Sequence, residues 1–277
     1  MHDYQIVILS YNHPELTAQT IGSVLNLGFP AQHVLLVHNG SEQKHSQALQ
    51  EKFKNIQHIF LKANQGFTGG ANFGLSEAFK TCDKALFLTN DTEALALPTH
   101  FPNAYDLFSI LISKRNSAHV DSVMGEVNLR TGTLTHIRNV NDLINSRHHK
   151  TYVPGTAFGI TKVAFETLDG FDETFHTYWE DVDLSLRAHQ KNMHIGHHLE
   201  FHVKHKIGKT CHKHRFYTLY LFQRNKKRFL ARYSKSYFSF RFYYYAGMFR
   251  LAWRILKQPQ KKINFNFWWK ALCDQKI

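Results

Sequence analysis

The sequence predicts an α/β fold, a mostly parallel sheet flanked by helices, followed by a basic, aromatic helical appendage. Short apolar runs alternate with amphipathic segments from the N-terminus to Asp91, and each run ends on polar turn residues. Composition agrees, since 43% hydrophobic and 20% charged residues over 277 positions describe a globular chain with a sizeable core, not a disordered one. The charge is divided along the chain. Residues 1–200 carry 15 Lys/Arg and 20 Asp/Glu, whereas residues 201–277 carry 19 Lys/Arg against Asp274 alone. The segment Phe216–Trp269 also holds 19 of the 39 aromatic residues. A back of that composition suits a polyanion, either an anionic membrane surface or a nucleic acid.

In order, Gln5–Ser10 reads as a strand and Pro14–Leu27 as a helix with proline in its first turn. His33–Val37 is a second apolar run ending at Asn39-Gly40, Ser46–Phe53 a helix and Ile56–Leu61 a third strand. A glycine-rich loop, Asn64–Gly74, leads into a helix reaching about Lys80, and Ala85–Thr89 is a fourth strand. Val123–Leu129 and Thr133–Ile137 form a candidate hairpin about Thr131-Gly132. Val153–Ile160 reads as a strand, and Lys162–Leu168 and Asp183–Gln190 as helices. The tail offers helices at about Arg215–Tyr233 and Tyr237–Leu256. No basic segment followed by a long apolar stretch opens the chain, so no secretory leader is expected. Cys82, Cys211 and Cys273 are odd in number and far apart, which fits a reducing compartment.

Sheets of this class bind ligands beyond the carboxyl ends of their strands. Ser10–Asn12, His38–Ser41, Asn64–Gly70 and Asn90–Thr92 therefore share one rim. The glycines of Asn64–Gly74 would let backbone amides approach an anion beside a helix N-terminus, although a plain glycine-rich turn explains them as well. Asp91 is either a cation ligand or a turn-capping residue. The sharpest segment is Tyr178–Leu184, YWEDVDL, with Glu180, Asp181 and Asp183 in four residues. Acids at a helix start are common caps, and Asp183 reads as one, but three beside Trp179 exceed what a cap requires. A carboxylate there could take the proton of a sugar hydroxyl, with the Trp179 face stacking on a sugar ring. The histidines of 194–214, together with Cys211, match no standard structural zinc spacing.

Taken in order, SYNHPE, HNGS, NQGFTGGANFG, LTNDT, VPGTAFGI, GFDETFHTYWEDVDLSLR and HKIGKT resemble family-2 glycosyltransferases of GT-A fold, and within them the rhamnosyltransferase-like group that builds bacterial surface polysaccharides. The resemblance runs from about residue 5 to 210 and implies a catalytic domain over 1–212 with a membrane-associating helical region over 213–277. It implies that Ser10, Tyr11, Asn12, His38, Asn64, Gly66, Gly69 and Asn90 bind the nucleotide, with His38 reading the base. Asp91 and His205 would hold Mg2+ or Mn2+, Gly155 and Trp179 would border the sugar and acceptor pockets, and Asp181 would be the catalytic base with Glu180 beside it. Two departures stand out: His38 replaces the usual acid before Asn-Gly-Ser, and Thr89-Asn90-Asp91 keeps one carboxylate of a DxD-like motif.

The expected reaction is a single inverting displacement on a nucleotide-diphosphate sugar, with a saccharide or lipid-linked acceptor. The expected location is cytoplasmic, on the inner face of the cell membrane, and a second copy of the chain is counted among candidate partners. Arg241, Arg250 and Arg254 argue against a spanning helix in the tail. Its aromatics would lie on anionic lipid or pack on the catalytic unit or a second subunit. A nucleic-acid-binding protein is the competing class, but it leaves the seven ordered motifs unexplained. An inactive relative is disfavoured because Asp91, Asp181 and His205 are all present.

Overall fold

The computed structural model describes residues 2–114, 119–142, 149–206, 215–234, 242, 244–250, 253, 266 and 269–270. Its first half is the expected parallel array. Strands β1 (Gln5–Ser10), β2 (Val34–Asn39), β3 (Gln57–Leu61) and β4 (Lys84–Thr89) lie side by side in the order β3-β2-β1-β4, all parallel. Every residue of β1 and β2 is buried, as the unbroken apolar runs of strands covered on both faces demand. The connecting helices are α1 (Pro14–Asn26), α2 (Gln43–Lys52) and α3 (Gly66–Ala78).

The second half enters the same sheet in mixed sense. It comprises β5 (Thr92–Ala96), β6 (Leu107–Lys114), β7 (Val120–Ser122), β11 (Ala157–Thr161) and β12 (Ile195–His205). Strand β11 is antiparallel to both β4 and β6, while β12 runs parallel to β6 and antiparallel to β5. The full order is β3-β2-β1-β4-β11-β6-β12-β5, with β7 on β6. The hairpin about Thr131-Gly132 forms as β8 (Met124–Asn128) and β9 (Thr133–Ile137), and β10 (His149–Tyr152) completes a separate three-stranded sheet. Helices α4 (Lys162–Leu168), α5 (Glu180–Gln190) and α6 (Arg215–Tyr233) follow.

Helices α2 and α5 each begin three residues earlier than expected, and two further differences have physical reasons. The strand expected at Val153–Ile160 begins only at Ala157, because Pro154 has no N–H to give a ladder and Val153 donates instead to Ser185 Oγ (3.0 Å). The glycine-rich loop is mostly helix. A Cβ on Gly70 would lie 2.6 Å from Leu9 Cδ1, and one on Gly74 would lie 2.7 Å from Val37 Cγ2 and 2.8 Å from Val7 Cγ1. These glycines, four apart, let α3 rest directly on β1 and β2, and that packing overrides their low helix propensity.

One apolar cluster (Ile6, Ile8, Ile21, Leu36) fills the α1 side of the sheet, and another (Val7, Val37, Leu75, Phe87, Leu184) fills the α3–α5 side. A third joins Trp179 and Val182 to Tyr220, Phe229 and Leu230 of α6 and to Tyr244 and Met248. Part of the aromatic tail is therefore core. Cys211 and the remainder of the second tail helix lie outside the described residues.

Candidate active site

The four rim loops are tied to one another by side chains. Ser10 Oγ and Thr17 Oγ1 lie 2.8 Å apart, and Asn90 Nδ2 donates to the same threonine (3.0 Å). Thr20 Oγ1 donates to the Asn90 and Thr92 carbonyls (2.9 and 2.6 Å). Asn12 N donates to Ser41 Oγ (2.9 Å), and Asn12 Oδ1 accepts from Glu42 N (3.0 Å). Tyr11 stands beside them with 40% of its surface exposed. Asn39, 2% exposed, donates to Asn64 Oδ1 and the Gly66 carbonyl and accepts from Gln65 N.

The expected amide cradle at the start of α3 is corrected. Gly66 N donates to Asn64 Oδ1 (2.8 Å), and Phe67 N and Thr68 N both donate to the His176 carbonyl (2.8 and 3.2 Å). With Gln65 N bonded to Asn39, the orphan donors of this helix start already have partners, so they are not presented to an anion. Gly66, at φ +74°, is needed because a Cβ would strike the His176 ring at 2.2 Å. A Cβ on Gly69 would meet only the Gln65 side chain, at 2.8 Å.

Asp91 and His205 meet at the rim. A register shift of β12 against β5, between His202 and Val203, precedes the pairing that sets His205 opposite Thr92, one residue past Asp91. His205 Nε2 lies 3.2 Å from Asp91 Oδ2, and Thr89 Oγ1 donates to Asp91 Oδ1 (2.8 Å). Burial pushes the Asp91 carboxyl up, but the hydrogen bond and charge of His205, with the Thr89 bond, outweigh it and hold it below its ordinary value. Among the described residues no cluster of three or more His, Cys, Asp or Glu side chains is arranged to hold a metal ion. One carboxylate and one imidazole, each about one-fifth exposed, are nevertheless a donor pair that would suit Mg2+ or Mn2+.

Glu180 and Asp181 open α5 in an opposite environment. Asp181 Oδ2 accepts from Gly155 N (3.0 Å) and Oδ1 from Val182 N (2.8 Å). Burial pushes the Asp181 carboxyl above its ordinary value despite these bonds. Glu180, 6% exposed, has a buried Oε2 with no partner, and burial followed by the Asp181 charge raises its carboxyl well above the ordinary range. Asp181, with two amide donors where Glu180 Oε2 has no partner, is thus the member of the pair whose charged form is better supported. Thr156 is the link to Asp91: its carbonyl accepts from Thr89 N (3.0 Å) and Thr89 Oγ1 (3.2 Å), directly after Gly155. The two carboxylate centres are thereby joined through the facing ends of β4 and β11.

Two sequence expectations in this segment are overturned. Trp179 is 1% exposed, with its ring packed 5.5 Å from Phe222 and 4.9 Å from Phe229, so it offers no face to a sugar. Asp183 is not a cap. It is fully buried and accepts from Arg187 Nε, Arg232 Nη1 and the Tyr233 hydroxyl (2.8, 2.7 and 2.7 Å), joining α5 to α6.

His38 lines a cleft of about 310 Å³ with Ser41, Gln43, Ser46, Gln47, Phe60 and Leu61. Its ring stacks on Phe60 at 4.4 Å, and its Nε2 lies 3.0 Å from His58 Nδ1. Burial, then the neighbouring His58, lowers its pKa to about 4, so the ring is neutral at physiological pH. Sequence reasoning missed Thr17, Thr20, Asn39 and Asn225. The first two were legible as hydroxyls three apart on an otherwise apolar helix face, but nothing local to residue 225 marks it.

Residues 5–109 match the family described as Glycosyl transferase family 2. No characterised protein matches the chain significantly by sequence. The fold is that of GT-A glycosyltransferases. It is shared with GalNAc-T7 with UDP, GalNAc and Mn2+ (TM-score 0.57, 14% identity, covering 75% of this chain and 43% of that one). Others are the mannosyltransferase PcManGT from Pyrobaculum calidifontis in complex with GDP-Man and Mn2+ (0.55, 11%, 98% and 74%) and S. aureus TarS 1–349 in complex with UDP-GlcNAc (0.56, 16%, 99% and 80%). The chain spans under half of the GalNAc-T7 chain and 48% of the longer TarS chain.

Proposed function

We propose that this chain is an inverting glycosyltransferase that moves a hexosyl- or rhamnosyl-type sugar from a nucleotide-diphosphate donor to a saccharide acceptor. The observation that carries the reading is the joining of two unlike carboxylate centres, Asp91–His205 and Asp181, through Thr89, Thr156 and Gly155. Asp181 takes the acceptor hydroxyl proton as that oxygen bonds to the anomeric carbon. The anomeric carbon–oxygen bond to the diphosphate breaks, and its electron pair leaves with the nucleotide. Asp91 and His205 would hold a divalent cation, which would supply charge neutralisation for that leaving group. Gly155 N–H and Val182 N–H orient the Asp181 carboxylate. Ser10, Asn12, Asn64 and Asn90 shape the nucleotide side of the cleft.

The hydrogen-bond chain behind His38 favours a keto base. His58 Nε2 lies 3.0 Å from the Phe53 carbonyl, which can only accept, so Nε2 carries a hydrogen and the tautomer that fits places the acceptor at Nδ1. His38 Nε2 must then donate, which leaves His38 Nδ1, buried and unpartnered, as an acceptor. Uracil, thymine and guanine offer a ring N–H there, and cytosine and adenine do not.

The tail supports an acceptor presented at a lipid surface, with the enzyme on the cytoplasmic face of the membrane. Phe242, Phe249 and Trp253 are each about two-thirds exposed within the strongly basic 201–277 segment. No helix among the described residues is long and apolar enough to cross a membrane. The direct test is a thermal-shift screen of UDP-, dTDP-, GDP- and CDP-sugars with and without Mn2+. Mn2+-dependent stabilisation by a UDP-, dTDP- or GDP-sugar is expected, and no response to any nucleotide-sugar would defeat the reading.

A further inference from the structure

The segment that delivers Glu180 and Asp181 is backbone-strained. His176, Tyr178 and Trp179 all adopt left-handed φ values of 64°, 71° and 73° without being glycine. Such a run persists only where its surroundings fix it. On one side the His176 carbonyl is held by the start of α3 through Phe67 N and Thr68 N. On the other side stands Asn225 of α6, which is fully buried.

Asn225 Nδ2 lies 2.7 Å from the Phe175 carbonyl and 2.8 Å from each of the Thr177 and Tyr178 carbonyls. Three acceptors share two hydrogens, so one bond is bifurcated. The orientation of the amide is set by Arg224, whose Nε donates to Asn225 Oδ1 (2.9 Å) and whose Nη2 donates to the Phe175 carbonyl (3.0 Å). Arg228 adds a bond to the Thr174 carbonyl (2.8 Å). The first turn of α5 follows at once, with Asp183 N bonded to the Trp179 carbonyl (2.9 Å).

We infer that Asn225 is a positioning residue for the acid pair: its amide locks the left-handed turn 175–179, and α6 is thereby part of the active site, not an accessory to it. The inference rests on the reading of Asp181 as the base. No side chain other than Asn or Gln places two N–H donors and a carbonyl oxygen on one planar head, and Gln would carry that head one methylene too far.

The test compares full-length Asn225→Ala with Leu230→Ala, which opens a cavity on the same helix where Leu230 faces Gly132. Amide hydrogen exchange is read alongside release of nucleoside diphosphate from UDP-GlcNAc or dTDP-rhamnose with Mn2+. For Asn225→Ala, exchange at 176–183 rises about tenfold with β1–β4 unchanged. Its kcat falls about 100-fold at unchanged donor KM, as expected for a misplaced catalytic group. For Leu230→Ala, Tm falls but kcat of the folded protein stays within about twofold. Where the alanine variant does not fold, Asn225→Asp, of equal size and lacking both Nδ2 hydrogens, gives the same comparison. Wild-type exchange at 176–183 in Asn225→Ala overturns the inference, as does an equal loss of kcat in Leu230→Ala. If the wild type releases no diphosphate from any donor, the catalytic reading fails while the exchange data still decide the lock.

Discussion

Asp91 and Asp181 are linked through the facing ends of β4 and β11, yet their surroundings drive them in opposite directions. Asp91 sits beside an imidazole and a hydroxyl that favour its ionised form, and its carboxyl is held below the ordinary range. Asp181 sits beside a second, buried carboxyl with two backbone amides as its donors, and burial raises it. Low basicity with a nitrogen ligand alongside suits a group that coordinates a cation. Raised basicity suits a group that must accept a proton at neutral pH. Under the proposed function, these neighbours prepare two aspartates of one fold for different tasks.

That contrast can be broken from either side. After loss of the base itself, the largest effect is expected for Asp91→Asn, which should lower transfer about 10²–10³-fold and abolish the Mn2+ dependence of donor binding, measured by calorimetry with and without the metal. A smaller effect is expected at the base pocket. His38→Leu should weaken UDP binding about tenfold, the worth of one hydrogen bond to a neutral partner. Because the His38 pKa lies at about 4, its acceptor lone pair survives from neutral pH down to about 5 and is lost only as pH falls through 4. The smallest effect on catalysis belongs to Glu180→Gln, with kcat within about threefold because the amide keeps the shape of an acid whose burial disfavours its charge. Its signature is in stability. A carboxyl raised in the folded state favours folding below its unfolded pKa and loses that contribution as pH rises. Glu180→Gln should therefore raise Tm at pH 7 and leave it unchanged near pH 4.

The parallel half of the fold was legible because each strand is a continuous apolar run and each linking helix has a clear face. The mixed half was less so, since the sense of β11 and β12 is decided by which sheet edge remains, not by their composition. Local pattern failed where tertiary packing won. The glycines at 70 and 74 looked like a loop and are a helix pressed onto β1 and β2. Trp179 looked like a sugar platform and is a core residue beneath α6. Asp183 looked like a cap and is the buried acid that fastens α6. In each case the deciding partner lies far away in sequence. The pairing of Asp91 with His205 was anticipated only through family resemblance, and the register shift that precedes it leaves no sign among the histidines of 194–205.

The division of labour between the two aspartates is tested most directly by Asp181→Asn, with donor affinity and single-turnover transfer measured on the same sample in Mn2+. The account predicts a donor Kd within about threefold of wild type and a transfer rate reduced by about 10²–10⁴, the usual contribution of a general base. Near-normal transfer by Asp181→Asn, or loss of donor binding in step with transfer, would contradict it.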